Sequence, residues 1–302
     1  MSIDWNSGVG IAELYMRSNI VALVGGGPVP RYPPNKVVVW DDYQAKSIAE
    51  LEFASDIRGL KLRQERLLVA QDNSIFVYNF KDLSYLCQFS TAPNANGLVA
   101  MNLSMPILEM FPAQTQGSFV LRTETIDDSG KSTSSEKTIM AHNGPLACIA
   151  TTLDGRLVAT ASDKGTLIRV WNTEDGAMLK ELRRGADNAK IWSMCFSEDG
   201  SMLAVTSSHG TCHIFGVASE LENKRASLGV FKGVLPAYFK SEWSSMRVDI
   251  PAVPSVVTFA KNKSIYLLAV DGTYQKIVID GSQNPPVATL DPTVGSFNFL
   301  KR

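Results

Sequence analysis

Two adjacent arginines, Arg183 and Arg184, are the residues of this sequence best suited to binding an anion. They follow a segment, Ala177 to Leu182, whose pattern predicts a β-strand, and Gly185 comes directly after them. Neighbouring side chains of an extended chain point to opposite sides, so each arginine would face a different neighbour. A guanidinium is a planar fork that matches phosphate oxygens. The pair therefore predicts two anion sites, one on each side of a repeat boundary; the alternative is a solvated loop that carries two charges.

Hydroxyl and basic side chains lie on both sides of this pair in the sequence. Hydroxyls and backbone N–H groups around an arginine can form a cradle for phosphate. The first predicted site gathers Ser162, Lys164, Thr166, Arg169 and Arg183. The second predicted site, one repeat later, gathers Arg184, Ser207, Ser208, Thr211 and His213. Ser162 and Thr166 have an alternative role, because turn and strand hydroxyls also hold repeats of WD type together.

An insertion from Ala218 to Ser241 interrupts the predicted strands and lacks strand periodicity. Its apolar residues fall at helical spacing, with lysines beside them: Val230, Phe231, Lys232, Leu235, Tyr238, Phe239 and Lys240. This composition is typical of a segment in a membrane interface, where aromatics enter and cations meet the headgroups. The alternative is that the aromatics cover the protein's own core, and Pro236 argues against a long helix.

Short predicted strands separated by turn residues recur along the whole chain, and part of the sequence repeats. Asp154 and Asp199 lie 45 residues apart, as do Gly165 and Gly210, within two segments of similar sequence. A period of about 40 to 45 residues with four strands per unit is typical of a WD-repeat propeller. The sequence therefore predicts an all-β fold, a single β-propeller domain over 1–302. Its units are expected at roughly 9–53, 54–91, 95–141, 142–185, 186–246 and 247–302. The polar segment Asp127 to Glu136 is predicted to be a loop.

Bulk properties exclude several functional classes. The 302 residues carry a net charge of -1, which argues against a general nucleic-acid binder, so we expect no nucleic-acid partner. The four cysteines are scattered, as in a cytosolic protein with reduced thiols. The three histidines make no metal-ligand pattern, and no catalytic motif is present, so neither a cofactor, a metal nor an enzymatic activity is expected. No apolar run reaches the length of about 20 residues that a membrane span needs.

Taken together, these segments resemble the PROPPIN family, the WD-repeat phosphoinositide-binding propellers of autophagy that include the WIPI proteins. The resemblance rests on residues 33–42, 73–80, 141–142, 164–170, 182–185, 211–215 and 232–243. Leu182-Arg183-Arg184-Gly185 is similar to one branch of that family. Relative to the family, the chain opens on what would be the second blade.

The resemblance implies a seven-bladed propeller with two lipid headgroup sites on its rim and a membrane-docking insertion. It implies phosphatidylinositol 3-phosphate and phosphatidylinositol 3,5-bisphosphate as ligands, and the autophagy lipid-transfer protein as a partner. The expected location is the cytoplasm and the surface of phagophore, endosomal or vacuolar and lysosomal membranes. His142, at the position of the Gly-His pair of WD repeats, is added to the predicted lipid-binding residues. The alternative function is a protein-interaction scaffold without significant lipid binding.

Overall fold

The regular elements of the described residues are β-strands that form six sheets. The structure, a computed structural model, describes residues 7–127, 131–217, 223, 241–283 and 285–292. Within these residues 25 strands pair into sheets whose members follow one another closely in the chain. This succession of four-stranded antiparallel sheets is the arrangement that the repeat period predicts for a β-propeller.

The first three sheets each contain four strands. The first sheet consists of β1 (Val9–Leu14), β2 (Ile20–Gly25), β3 (Lys36–Asp41) and β4 (Lys46–Glu52). The second sheet consists of β5 (Gly59–Leu62), β6 (Leu67–Ala70), β7 (Ser74–Tyr78) and β8 (Tyr85–Ser90). The third sheet consists of β9 (Ala100–Met101), β10 (Ile107–Pro112), β11 (Ser118–Ile126) and β12 (Ser132–Met140).

The last three sheets include the only five-stranded one among the described residues. The fourth sheet consists of β13 (Leu146–Thr151), β14 (Leu157–Ser162), β15 (Leu167–Asn172), β16 (Met178–Arg183) and β20 (Glu242–Trp243). The fifth sheet consists of β17 (Ile191–Phe196), β18 (Met202–Ser207), β19 (Thr211–Gly216) and β21 (Met246–Asp249). The sixth sheet consists of β22 (Ser255–Phe259), β23 (Ile265–Ala269), β24 (Tyr274–Asp280) and β25 (Val287–Leu290).

The fifth sheet is apolar on both faces because neighbouring sheets cover both. On β18, Leu203 and Val205 belong to a core shared with the fourth sheet. Met202 and Ala204, which alternate with them, belong to a core shared with the sixth sheet. Side chains of a strand alternate between faces, so a strand buried on both sides reads as a continuous apolar run. Face-to-face packing of this kind fixes the end of each strand against the next sheet.

Contacts divide the chain into two compact units. One comprises Met1–Met101 and Glu109–Val120, and its cores are built on β2, β6 and β7. The other comprises Asn102–Leu108 and Leu121–Arg302 and contains the fourth, fifth and sixth sheets. Every described residue predicted to bind an anion lies in this second unit.

Two features of the fold differ from the sequence prediction. The predicted loop from Asp127 to Glu136 is wrong in its second half, because β12 begins at Ser132. This strand is exposed along most of its length, so its polar composition resembled that of a loop although it pairs with β11. The second difference is β20, which pairs in parallel with β16 and was not predicted. In the described residues, no helix is long and apolar enough to cross a membrane.

Candidate anion-binding sites

The end of β16 positions both arginines. Arg183 is the last residue of β16, opposite Leu167 of β15 on one side and Trp243 of β20 on the other. Arg184 comes directly after the strand, and its backbone N–H still donates to the carbonyl of Thr166 at 3.0 Å. Both side chains are largely buried, with 9% of Arg183 and 4% of Arg184 exposed. The two guanidiniums are therefore fixed by packing, unlike those of a solvated loop.

The turn at Gly165 makes the close approach of Arg184 possible. Gly165 has φ of 59°, a left-handed conformation that favours glycine. A Cβ at this position would lie 1.9 Å from the carbonyl oxygen of Ala189, so any side chain would clash with that backbone. The carbonyl of Gly165 accepts a hydrogen bond from Arg184 Nε at 2.7 Å. Because it has no side chain, Gly165 can pack against the Ala189 backbone while its own carbonyl accepts from Arg184.

A carboxylate, Glu181, lies at the centre of the first site. Its Oε2 accepts hydrogen bonds from Arg169 Nε at 3.0 Å and from Arg169 Nη2 at 2.9 Å. Its Oε1 accepts a hydrogen bond from Ser241 Oγ at 2.7 Å. Arg183 Nη2 in turn donates to Ser241 Oγ at 3.5 Å. Two arginines therefore share one carboxylate: Arg169 binds it directly, and Arg183 is linked to it through the Ser241 hydroxyl. With two positive charges and one negative charge, the cluster keeps one net positive charge.

The pKa of Glu181 reflects this surrounding. Burial alone would raise it, but the hydrogen bonds from Ser241 and Arg169 and the positive charges of Arg169 and Arg183 lower it below its usual value. Glu181 is thus ionised at neutral pH and acts as a fixed anion inside the first site.

Arg169 is held on three sides. Besides its two hydrogen bonds to Glu181, its Nη1 donates to the carbonyl of Ala141. The other predicted members of the first site make main-chain contacts: the carbonyl of Ser162 accepts from Gly165, and that of Lys164 accepts from Ala189. The Lys164 side chain is exposed, whereas Thr166 is half-buried. The structure joins Arg169 to Arg183 through Glu181 and Ser241, and the binding roles of Ser162, Lys164 and Thr166 stay predictions.

His142 stabilises the interior of the fourth sheet. Its Nε2 is hydrogen-bonded to Thr160 Oγ1 at 3.0 Å, and Trp171 Nε1 donates to the same oxygen at 3.0 Å. Burial and the positive charge of Arg169 lower the pKa of His142 to about 4, so the imidazole is neutral at pH 7. This contact accounts for a buried histidine without a ligand, and its role in lipid binding stays a prediction.

The second site has Arg184 at its centre. Arg184 donates from Nε to the Gly165 carbonyl, from Nη2 to the Asp187 carbonyl, and from Nη1 to His209 Nδ1 at 3.3 Å. A guanidinium has five N–H donors, so these contacts leave two for a ligand in the described surroundings. Burial lowers the pKa of Arg184, and the nearby Asp187 opposes this effect. The arginine is held by carbonyl oxygens and an imidazole, and it keeps its whole charge.

Hydroxyls and a second imidazole complete this region. Ser207 Oγ and Thr211 Oγ1 are hydrogen-bonded to each other at 3.3 Å. Ser208 Oγ accepts from the Lys190 N–H at 3.0 Å. His213 Nδ1 is hydrogen-bonded to Ser244 Oγ at 3.0 Å. Burial, followed by the charge of Arg184, lowers the pKa of His213 to about 4. The roles of Ser207, Ser208, Thr211 and His213 in binding an anion stay predictions.

The predicted membrane-binding residues lie outside the described residues. They are Val230, Phe231, Lys232, Leu235, Tyr238 and Phe239. Of the insertion, the structure describes Asn223 and its last residue, Ser241, which β20 follows in the chain. The ends of the insertion can therefore be located, at β19 and β20.

Sequence reasoning missed several members of the two sites. Glu181 could have been found, because it lies two residues before Arg183 and so shares a face of the same strand. Ser241 gave no local signal, since it reaches Glu181 across 60 residues of sequence. The carbonyls of Gly165 and Asp187 belong to the backbone and carry no signature of residue type. In the part of the chain that the structure describes, no group of three or more metal-ligating side chains comes together.

The successive sheets are those of a WD-repeat β-propeller, and basic residues cluster at the end of β16 in its fourth sheet. A family model described as PROPPIN matches residues 7–241, and the chain belongs to that family. The matched residues include both arginines, the first four strands of the fourth sheet and the insertion.

Curated relatives agree with this membership, and solved structures agree with the fold. Autophagy-related protein 18e of Arabidopsis thaliana is 34% identical over 295 residues, which cover 94% of this chain and 76% of the relative. SVP1-like protein 2 of Candida glabrata is 37% identical over 239 residues, 72% of this chain and 54% of the relative. Hsv2 of Kluyveromyces lactis has a similar fold, with a TM-score of 0.74, 23% identity and coverage of 94% and 84%. KlAtg21, solved in complex with the coiled coil of AgAtg16, gives a TM-score of 0.68 at 20% identity, with coverage of 98% and 88%.

Proposed function

We propose that the chain is a non-enzymatic effector of autophagy that docks on membranes carrying phosphatidylinositol 3-phosphate or phosphatidylinositol 3,5-bisphosphate. The observation that carries this proposal is the placement of Arg183 and Arg184. The two buried guanidiniums lie at the end of one strand and contact different groups. Arg183 contacts Ser241, whereas Arg184 contacts Gly165, Asp187 and His209. Each is fixed before a ligand arrives, and a preorganised arginine loses less conformational entropy when it binds phosphate.

The neighbouring groups suit a phosphorylated inositol ring. Ser207 and Thr211 face each other at the ends of β18 and β19, and Ser208 lies in the turn between these strands, so their hydroxyls could donate to ring or phosphate oxygens. The lysine and aromatic residues of the insertion would then contact the bilayer beside the headgroup. Binding would combine two headgroups with one apolar segment, and combined weak contacts give a higher affinity than each alone.

Membrane-bound protein would then recruit further autophagy machinery. We propose the autophagy lipid-transfer protein as a partner, as the family resemblance implies. The solved complex of KlAtg21 with the AgAtg16 coiled coil supports a second possibility of the same kind, in which a coiled coil is the partner. A scaffold that binds only proteins is the competing function, and that complex is the observation that favours it.

Vesicle flotation separates these functions. The chain is mixed with phosphatidylcholine vesicles that contain or lack a few per cent of phosphatidylinositol 3-phosphate. We expect flotation only with the phosphoinositide, and a loss of at least about a hundredfold in affinity for Arg183→Thr combined with Arg184→Thr, because two charge-assisted contacts are removed. A scaffold without lipid binding predicts no flotation of the unaltered chain.

The control removes two other cations. Arg156→Thr combined with Lys263→Asn deletes the same charge from exposed ion pairs with Asp154 and Asp199, and should leave flotation within about twofold; asparagine is chosen because Lys263 has φ of 60°. Arg184 also stabilises its loop, so the double variant could melt at a lower temperature. In that case Arg183→Thr alone is tested, because it leaves the contacts of Arg184 in place. Flotation of both arginine variants like that of the unaltered chain would rule out the two-site proposal.

A further inference from the structure

One amide side chain joins the entrance of the insertion to its exit. Asn223 Oδ1 accepts from the Gly216 N–H at 2.8 Å and from Ser245 Oγ at 2.8 Å. Asn223 Nδ2 donates to the Gly216 carbonyl at 2.6 Å and to Glu242 Oε2 at 2.8 Å. These four contacts use both donors and both lone pairs of the amide. The chain enters the insertion after Gly216 and leaves it before Glu242, so Asn223 holds the two ends together.

The exit is in turn attached to the strand that carries the first arginine. β20 pairs in parallel with β16, with Glu242 opposite Leu182 and Trp243 opposite Arg183. Lys180 Nζ, also on β16, donates to Glu242 Oε2 at 3.0 Å and to the Gly216 carbonyl at 3.3 Å. The carboxylate of Glu242 therefore bridges Asn223 and the arginine strand.

Ser241 provides a second connection, to the first anion site itself. Its hydroxyl donates to Glu181 at 2.7 Å and accepts from Arg183 at 3.5 Å. Ser241 is only 1% exposed, so it is fixed in the protein interior. The last residue of the insertion thus lies in hydrogen-bonded contact with the guanidinium proposed to bind a headgroup.

From these contacts we infer that Asn223 is a positioning residue that holds the two ends of the insertion, at Gly216 and Glu242, against the strand that ends at Arg183. Headgroup binding and membrane contact by the insertion then occur in one geometry. A tethered segment that can reach its site gains effective concentration only when its linkage has the right geometry, and ordering a free segment costs entropy. The inference rests on the proposed function, because it assumes that the insertion contacts the bilayer.

The test compares Asn223→Ala and Asn223→Asp with the unaltered full chain. The Ala variant loses all four hydrogen bonds, and the Asp variant places a carboxylate against Glu242. Both should weaken binding to phosphatidylinositol 3-phosphate vesicles by about five- to tenfold, since the loss of preorganisation falls on the insertion. Binding of soluble inositol 1,3-bisphosphate should stay within about twofold. Exchange of the amide hydrogens of Gly216 and of residues 242–245 should accelerate.

A matched control removes an asparagine that caps a different turn. Asn262 Oδ1 accepts hydrogen bonds from Ser264 in the sixth sheet, so Asn262→Ala should change none of the three readouts at the insertion. If Asn223→Ala lowers the melting temperature of the whole chain, Ser245→Ala is tested instead, because it removes only one of the four contacts.

The outcomes separate this inference from the proposed function. If the unaltered chain and the Asn223 variants bind vesicles equally well, the positioning role is overturned and the proposed function still stands. Unchanged amide exchange would also overturn it, whatever the vesicles show. Absence of vesicle binding by the unaltered chain overturns the proposed function and this inference with it.

Discussion

The two candidate anion sites differ in the groups that surround the arginine. At the first site, Glu181 supplies a carboxylate that binds Arg169 directly and reaches Arg183 through Ser241. At the second site, Arg184 is held by the carbonyl oxygens of two residues and by His209, while the nearby charge of Asp187 only raises its pKa. Carbonyl dipoles orient a guanidinium without neutralising it, whereas a carboxylate does both. Adjacent residues of one type therefore produce two sites of different electrostatic character.

The sheets behind the two sites also differ in an interior contact. In the fourth sheet, Thr160 Oγ1 joins His142 to Trp171. The residue 45 positions later in the fifth sheet is Val205, which lies in the apolar core shared with the fourth sheet. The repeat preserves the strand and replaces the hydroxyl by an apolar side chain, so similar sequence does not give similar contacts behind the sites.

The largest expected effect concerns the dual role of Arg184. Arg184→Met leaves the carbonyls of Gly165 and Asp187 without their donor, and should lower the free energy of unfolding by about 3 kcal/mol. Arg184→Lys should restore less than half of this loss, because an ammonium lacks the planar fork. Urea unfolding measures both. A loss below about 1 kcal/mol would mean that the carbonyl contacts do not distinguish the second site.

Acidification tests the histidine of each site. His142 and His213 have pKa values of about 4 in the folded chain, below the ordinary value of 6.5. The unfolded chain therefore binds protons between these values that the folded chain does not, and stability falls as the pH falls from about 6.5 to 4. At about pH 5 each histidine should cost about 2 kcal/mol of stability relative to pH 7.

The variants His142→Gln and His213→Gln separate the two contributions. Each should reduce the difference in unfolding free energy between the two pH values, and the double variant should reduce it further. A pH dependence that neither variant changes would contradict the assignment of buried neutral imidazoles to both sheets.

The insertion offers a contrast with both arginine sites. Phe231→Ser combined with Phe239→Ser should weaken vesicle binding by at least about tenfold, or 1.4 kcal/mol, because apolar burial in the membrane interface is lost. Affinity for soluble inositol 1,3-bisphosphate should not change, since none of the residues proposed to contact the headgroup is Phe231 or Phe239. If headgroup affinity and thermal stability fell together with vesicle binding, the two aromatic residues would belong to the core of the protein.

The smallest expected effect concerns the internal carboxylate. Glu181→Gln removes the fixed anion that opposes a phosphate at the first site, while its amide oxygen can still accept from Ser241. Headgroup affinity at that site should rise by about three- to fivefold, which corresponds to roughly 1 kcal/mol or less. Titration calorimetry in the Arg184→Met background isolates the first site. A decrease in affinity would show that Glu181 matters mainly by orienting Arg183.

The sequence predicted those parts of the fold that depend on local repetition. Thr152 Oγ1 donates to Asp154 and Ser197 Oγ donates to Asp199, both at 2.6 Å, in turns that the 45-residue spacing relates. Such turns depend on a few neighbouring residues and so repeat faithfully. The exposed strand β12 was missed because an edge strand in water needs no apolar residues.

The sites were predicted only in part, for a physical reason. Arg183 and Arg184 contact different neighbours, as expected when side chains alternate along an extended chain. The contact between Ser241 and Glu181 depends on β20 returning to β16 after a long insertion, and nothing near either residue indicates it. Long-range pairing of this kind is set by tertiary structure.

The most direct test of the account is the number of headgroups that the chain binds. Titration of the unaltered chain with soluble inositol 1,3-bisphosphate should give two molecules per chain, and Arg183→Ala and Arg184→Ala should each reduce this number to one. The melting temperature is measured alongside to verify that each variant is folded. A single molecule bound by the unaltered chain, or two still bound by both variants, would contradict the claim that adjacent arginines serve separate sites.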